Sequence, residues 1–216
     1  MRFKIAFLAA LALLSGAAFA ADGTGFYVGA DFGQANSDIN KGRIDDLVLP
    51  AFDSGSYHSK VDKGATSYGV FVGYKFLPYL ATELTYFGTG KANYNASGTV
   101  EGTPAHFKAD WESKGPALSV IGILPFADVW DVYARVGVFF ADTKITVKAT
   151  AGDFSTGSYD QSANTTEFLW GVGAGYTFLD HWTARLEYQG IPNVGDKNKT
   201  DEFNVDRITL GMLYRF

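Results

Sequence analysis

Apolar and polar residues alternate along most of the chain, in short segments rather than long runs. At the end of the sequence Ile208, Leu210, Met212, Tyr214 and Phe216 occupy one parity and Thr209, Gly211, Leu213 and Arg215 the other. A period of two is the signature of a half-buried strand. Eight segments carry it: 25–35, 67–76, 80–88, 117–124, 132–141, 167–178, 183–190 and 206–216. The gaps between them alternate in length. Polar, Gly-, Ser- and Asp-rich gaps span 36–66, 89–116, 142–166 and 191–205; short ones span 77–79, 125–131 and 179–182. This rhythm predicts antiparallel hairpins in chain order, with four long loops at one end and tight turns at the other.

The two parities differ in chemistry. One carries Phe26, Val28, Phe32, Tyr68, Val70, Val72, Leu84, Tyr86, Leu118, Val120, Val136, Val138, Phe168, Trp170, Val172, Leu186 and Leu210, and no charge. The other carries Asp31, Lys75, Glu83, Arg135, Glu167, Arg185, Glu187, Arg207 and Arg215, with many glycines. A soluble barrel would turn the apolar parity inward; a membrane barrel turns it outward. Eight strands enclose an interior just wide enough for side chains to fill. The bulky parity is too large for that interior, and the Gly-rich parity suits it. Lipid forbids unpaired backbone groups, so a spanning sheet must close on itself. The fold class expected is all-β: an eight-stranded antiparallel up-and-down transmembrane β-barrel.

The N-terminus supports export. "MRFK" is basic, Ile5–Leu14 is a ten-residue apolar core, and Ala18-Phe19-Ala20 offers a small-x-small cleavage site. Ten apolar residues are too few to span a bilayer as a helix. The expected organisation is a signal peptide over 1–20, cleaved after Ala20, and a barrel over 21–216. Removing Arg2 and Lys4 leaves 16 basic and 23 acidic residues, a net charge of −7. That balance argues against nucleic acid as a partner. The sequence has no cysteine, so packing and hydrogen bonds must hold the fold.

Several stretches resemble the transmembrane domain of the OmpA family of Gram-negative outer membrane proteins. They are "FYVGADFG", "GYKFLPYLATELTY", "DVYARVG" with "ADTK", "ARLEYQ" and "LYRF", in family order over the mature chain. The resemblance implies an outer membrane location and contacts with membrane lipids and lipopolysaccharide. It also implies recognition by the barrel-assembly machinery through the terminal aromatics Tyr214 and Phe216. It sets the chain among barrel-only members, without the periplasmic peptidoglycan-binding domain. In the family a lumenal carboxylate pairs with an arginine and is thought to gate a small channel; Glu83 and Arg185 look like that pair. Ile121 and Gly175 stand where the family has an alternative lysine and a second glutamate, which favours a permanently closed state.

Strand alternation independently places Glu83, Arg135, Arg185 and Glu187 inward at middle depth, where charges must pair. A lumenal charge network that fills the barrel is expected. Catalysis is not expected, because His58, His106 and His181 lie in loops or turns with no oriented Ser or Asp beside them. No cofactor or metal is expected: there is no Cys and no His pair at ligand spacing. The function read from the chain is a structural, envelope-integrity and surface-contact protein. The alternative is a narrow channel for ions or small solutes. The long gaps leave room for an unidentified surface partner.

Overall fold

The computed structural model describes residues 24–53, 57–152, 154–196, 199 and 201–216. Among them, nine antiparallel strands form one sheet. They are β1 (Gly25–Ser37), β2 (His58–Asp62), β3 (Gly64–Leu77), β4 (Leu80–Val100), β5 (Thr103–Pro125), β6 (Trp130–Ala151), β7 (Phe154–Leu179), β8 (Trp182–Asp196) and β9 (Asp201–Arg215). One α-helix, α1 (Lys41–Val48), followed by a 3-10 turn (Leu49–Ala51), lies between β1 and β2. Eight strands close a ring. β3 through β9 pair each with the next, and β1 joins β3 (Tyr27↔Gly73) to β9 (Tyr27↔Arg215). The ring closes through the last residue, whose N–H donates to Phe26 O at 3.1 Å. β2 is the addition: it continues the line of β3 along the far half of β4, with His58↔Ser97 and Asp62↔Asn93. The barrel is an up-and-down eight-stranded one, with its apolar parity outward. Phe32 and Leu210 are 65% exposed, whereas Glu83 on the other parity is 1% exposed.

The strands run further than the alternation suggested. Three of the four expected long loops are instead continuous hairpins: β4–β5, β6–β7 and β8–β9 stay paired well beyond the apolar belt. One reason is a bulge in β4. The register with β5 shifts between Gly88 and Lys91, and Gly90 adopts φ 69 where a Cβ would lie 2.4 Å from Thr66 O. One extra residue exchanges the faces of a strand. Below the bulge Ala81, Glu83, Thr85 and Phe87 are buried; above it Ala92, Tyr94 and Ala96 are. The polarity of the wall also inverts there. In β6 the outward residues change from Val136, Val138 and Phe140 to Asp142, Lys144 and Lys148, while Ala141, Ile145 and Val147 turn inward. The far half of the barrel is thus built as a water-soluble barrel is, and the near half as a lipid-embedded one.

The β4–β5 tip is a two-residue turn. Glu101 (φ 50) and Gly102 (φ 77) both take left-handed backbone, which matches the twist of a hairpin. The Asp53 carboxylate accepts their N–H groups at 3.1 and 3.0 Å. The Gly102 N–H foremost, with the Thr99 side chain and the Glu101 N–H, holds that carboxyl below its usual range.

Val136 is central in the outward belt and 54% exposed. An arginine there faces the bilayer midplane and is expected to cost about 2–4 kcal/mol. Heat-modifiable gel mobility of refolded Val136→Arg should show a reduced folded fraction; a fraction equal to wild type would refute the assigned face.

Candidate functional site

The lumen is filled in two layers. The layer nearer the tight turns is ionic. Glu83, on β4, is fully enclosed: Oε1 lies 2.8 Å from Arg135 Nη2, and Oε2 accepts from Arg185 Nη1 at 2.8 Å. Tyr27 and Thr85 donate to the same carboxylate, each at 3.1 Å. Glu187, on β8, accepts from Arg135 Nη2 at 2.9 Å, Tyr133 Oη at 2.9 Å and Gln189 Nε2 at 2.8 Å. Arg135 Nε approaches Glu187 Oε1 to 2.5 Å, but off the axis of a hydrogen bond, so that contact is ionic only. The structure therefore brings Glu83, Arg135, Arg185 and Glu187 into one cluster.

Two further charges extend it. Arg207, fully buried on β9, donates to Asp31 (2.8 Å), Gln189 (2.5 Å) and Ser67 (2.7 Å), and its guanidinium lies 4.1 Å from the Phe87 ring centroid. Parity had already turned Asp31 and Arg207 inward, but not their depth or their link through Gln189. Three carboxylates face three guanidinium groups. Arg185 also lies over the rings of Tyr27, Phe71 and Tyr133, at 5.1–5.4 Å. Such contacts suit a delocalised cation better than a compact one.

Glycines make this filling possible. Across the ladders Tyr27 faces Gly73, Phe71 faces Gly29, Tyr133 faces Gly173, Arg135 faces Gly171, Asp31 faces Gly69 and Asp131 faces Gly175. A Cβ at Gly73 would lie 2.1 Å from Tyr27 Cζ, and one at Gly173 would lie 2.5 Å from Tyr133 Cζ. In each of these pairs the inward side chain lies over a neighbour that has none. The space left among Asp31, Phe71, Arg135, Arg185 and Glu187 is about 10 Å³, at the lower limit for one water. Ile121 is fully buried beside Tyr27 and Tyr133. Gly175 leaves room for Asp131, which lines a vestibule of about 190 Å³ open to the tight-turn end with Lys75, Arg185 and Arg215.

The second layer is apolar. Phe87 and Phe139 stack at 4.4 Å, and above them cluster Tyr94, Trp111, Leu169, Ile191, Val194, Phe203 and Val205. Within this layer, Ser113 and Thr143 share a hydrogen bond of 2.8 Å, and Thr89 donates to Ser113 O. α1 closes the apolar layer: Ile44 and Val48, with Leu49 and Phe52 after it, pack against the cluster. Asn40 caps its N-terminus by accepting from Arg43 N–H at 3.2 Å. Lys41 reaches Asp45 (2.5 Å) and Ser59 (2.6 Å), Tyr94 donates to Asp45 at 2.7 Å, and Arg43 reaches Asp201 at 2.8 Å.

Other residues singled out in the sequence lie apart. Tyr214 and Phe216 are at the tight-turn rim, 5.3 Å apart and edge to face, with Trp182 against Tyr214. Ala18 and Ala20 lie outside the described residues. His58 and His106 flank Ser97 across β2, β4 and β5, and His181 contacts Arg215 O in a turn. Ser59 is held by Lys41.

Removing one partner from a buried ionic cluster strands the others and costs about 3–5 kcal/mol. Glu83→Ala should lower the urea midpoint of the micelle-refolded protein accordingly, and Asn164→Ala, outside the cluster, should not. The α1 clamp has its own pH window. Burial alone would raise the Asp45 carboxyl, but hydrogen bonds from Lys41, Tyr94 and Ser59 bring it below its ordinary value. Burial, then the Asp45 hydrogen bond, raises the Tyr94 phenol. A lowered acid stabilises above its unfolded pKa and stops doing so as pH falls through the folded one. Protease cleavage within 41–52 should therefore be slow at neutral pH and rise only below the ordinary aspartate range. Asp45→Asn should remove that acid dependence.

Comparison with known proteins agrees with this architecture. Residues 21–216 match the family model of the OmpA-like transmembrane domain. Outer membrane protein A of Serratia marcescens is 30% identical over 171 residues, 76% of this chain and 43% of that protein. Outer membrane protein P5 of Haemophilus influenzae is 30% identical over 226 residues, 97% of this chain and 59% of that protein. The chain thus spans about half the length of the curated relatives it matches. The crystal structure of Neisserial surface protein A superposes with a TM-score of 0.51 at 13% identity, covering 88% of this chain and 97% of that one, a likeness of fold. With a family match over the barrel and an apolar belt that only lipid can cover, the chain belongs to the OmpA-like transmembrane domain family and is a β-barrel of the outer membrane.

Proposed function

We propose that this barrel is a structural, non-conducting protein that contributes to envelope integrity and carries its hairpin end outside the cell. One observation carries the reading: the space left among Asp31, Phe71, Arg135, Arg185 and Glu187 in the ionic layer is about 10 Å³, and an apolar cluster and α1 lie above it. An ion would have to displace paired guanidinium and carboxylate groups and then cross an apolar core. No alternative lysine or second family glutamate stands at Ile121 or Gly175 to exchange partners with Glu83 and Arg185. The outward lysines Lys91, Lys114 and Lys144 stand just beyond the apolar belt, a height suited to the phosphates of lipopolysaccharide. Tyr214 and Phe216 serve as the recognition element for the barrel-assembly machinery, and residues 1–20 as the export signal cleaved after Ala20.

Refolded protein in planar bilayers should show no steady conductance. Large stable currents would put the narrow-channel reading in its place. A deletion strain should become more sensitive to detergent, and an unchanged strain would remove the structural role. An epitope inserted at Gly102 should be detected on intact cells; detection only after permeabilisation would invert the orientation.

A further inference from the structure

Above the apolar belt the ring is split between β7 and β8. The two strands pair from Leu179 up to Trp170↔Gly190 and no further. Beyond that, β8 stays with β9 (Ile191↔Val205, Val194↔Phe203) and β7 stays with β6. The sequence supplies the cause. If the register continued, Phe168 would face Pro192, which has no N–H to offer. The Asn193 backbone (φ 56) and the register shift between Ile191 and Val194 then turn β8 away.

The orientation of the groups left on β7 follows from its base. There the Thr177 N–H donates to Val129 O at 2.8 Å. Odd-numbered, inward-facing residues of β7 therefore bond to β6, and even-numbered residues aim away from it. At Trp170 the even set meets β8. At Phe168, Thr166, Asn164, Ser162, Asp160 and Ser158 it meets no strand among the described residues. Lipid could not tolerate such a row, and from Thr166 upward the outward side chains are polar, so the edge stands in water. Natural edges are guarded by Pro, Lys, bulges or shortness. The opposing segment of β8 has Pro192 and a bulge; β2 is five residues long and carries Lys60. Residues 158–169 of β7 contain no Pro, Lys or Arg, and pair with β6 without a register shift. Their only charges are Asp160 and Glu167.

We propose that this edge of β7 is a docking site for an extended segment of another polypeptide, which adds beside it as a further strand. Only a polypeptide backbone offers N–H and C=O groups at the spacing the edge presents. Asp160 is already held from β6 by Lys144 at 3.0 Å and Thr146 at 2.8 Å, and Glu167 lies on the inward parity, so the row of backbone groups, not charge, selects the occupant. A second copy in the same membrane is excluded by geometry. Strands tilt by about 45°, so two edges related by an axis along the membrane normal would cross instead of running side by side. The proposal rests on the hairpin end facing out of the cell. Its test uses micelle-refolded full chain and does not depend on that orientation, which the epitope at Gly102 examines separately.

The probe is a labelled synthetic peptide, DTKITVKAT, the sequence of residues 142–150 that already pairs with the opposite edge of β7. Hydrogen exchange of the free protein should show odd-numbered amides of 158–168 protected and even-numbered ones exchanging fast. Added peptide should bind saturably and protect the even set. Asn164→Pro removes one docking N–H without touching the β6 ladder, and should weaken binding about three- to tenfold. The same peptide N-methylated at alternate residues on its pairing edge should not bind, which tests the pairing without altering the protein. Even-numbered amides protected before peptide is added would overturn the proposal, and protection that grows with protein concentration would assign the edge to self-association. Equal binding of the N-methylated peptide would also overturn it.

Discussion

Every feature of this barrel answers one demand: backbone N–H and C=O groups inside lipid must find partners in the same chain. The closure of β1 on β9 meets it, down to the N–H of Phe216 on Phe26 O. Where the demand lapses, the architecture changes. Above the belt water can solvate a backbone, and there the ring opens at Pro192, β2 joins as a ninth strand, and a helix replaces strand. The free edge of β7 lies only on that side.

The same boundary inverts the wall. In the lipid zone the apolar surface faces out and the interior must take the charges, which it holds as three guanidinium groups against three carboxylates. Beyond the belt the apolar surface faces in, and alanines with a few aromatics form an ordinary core under α1. Two interiors of opposite character are stacked in one tube. A path through it must suit both an ion and an apolar group, which is why the filling reads as a seal.

Much of this was legible in the chain. Outward Val136 and Leu210 and inward Glu83 and Arg185 follow from parity alone, because in the lipid zone every strand obeys a strict period of two. The far hairpins were less legible for identifiable reasons. Gly90 inserts one residue and exchanges the faces of β4, so Ala92, Tyr94 and Ala96 fall on the parity that had carried the outward set. Alanine is also a weak apolar signal beside Lys91, Asn93 and Asn95, and the stretch reads as polar loop. α1 is only eight residues long, and its contacts with the core come from Ile44 and Val48, too few to show a helical period. The joining of Asp31 and Arg207 to the central cluster depends on Gln189, an uncharged residue that a search for charges passes over.

The facing of large side chains and glycines has a consequence for how the strands find one another. A slip of two residues between β1 and β3 would keep every side chain on its proper face, so the apolar pattern does not oppose it. It would, however, set Tyr27 against Phe71 or Lys75 in place of Gly73. Between β6 and β7 the run Asp131, Tyr133, Arg135 meets Gly175, Gly173, Gly171, and a slip drives Arg135 onto Leu169 or Asp131 onto Thr177. The glycines therefore work as a key cut into the ladder: they admit one alignment among several that hydropathy alone would accept, and the tube acquires its shear from them as it closes.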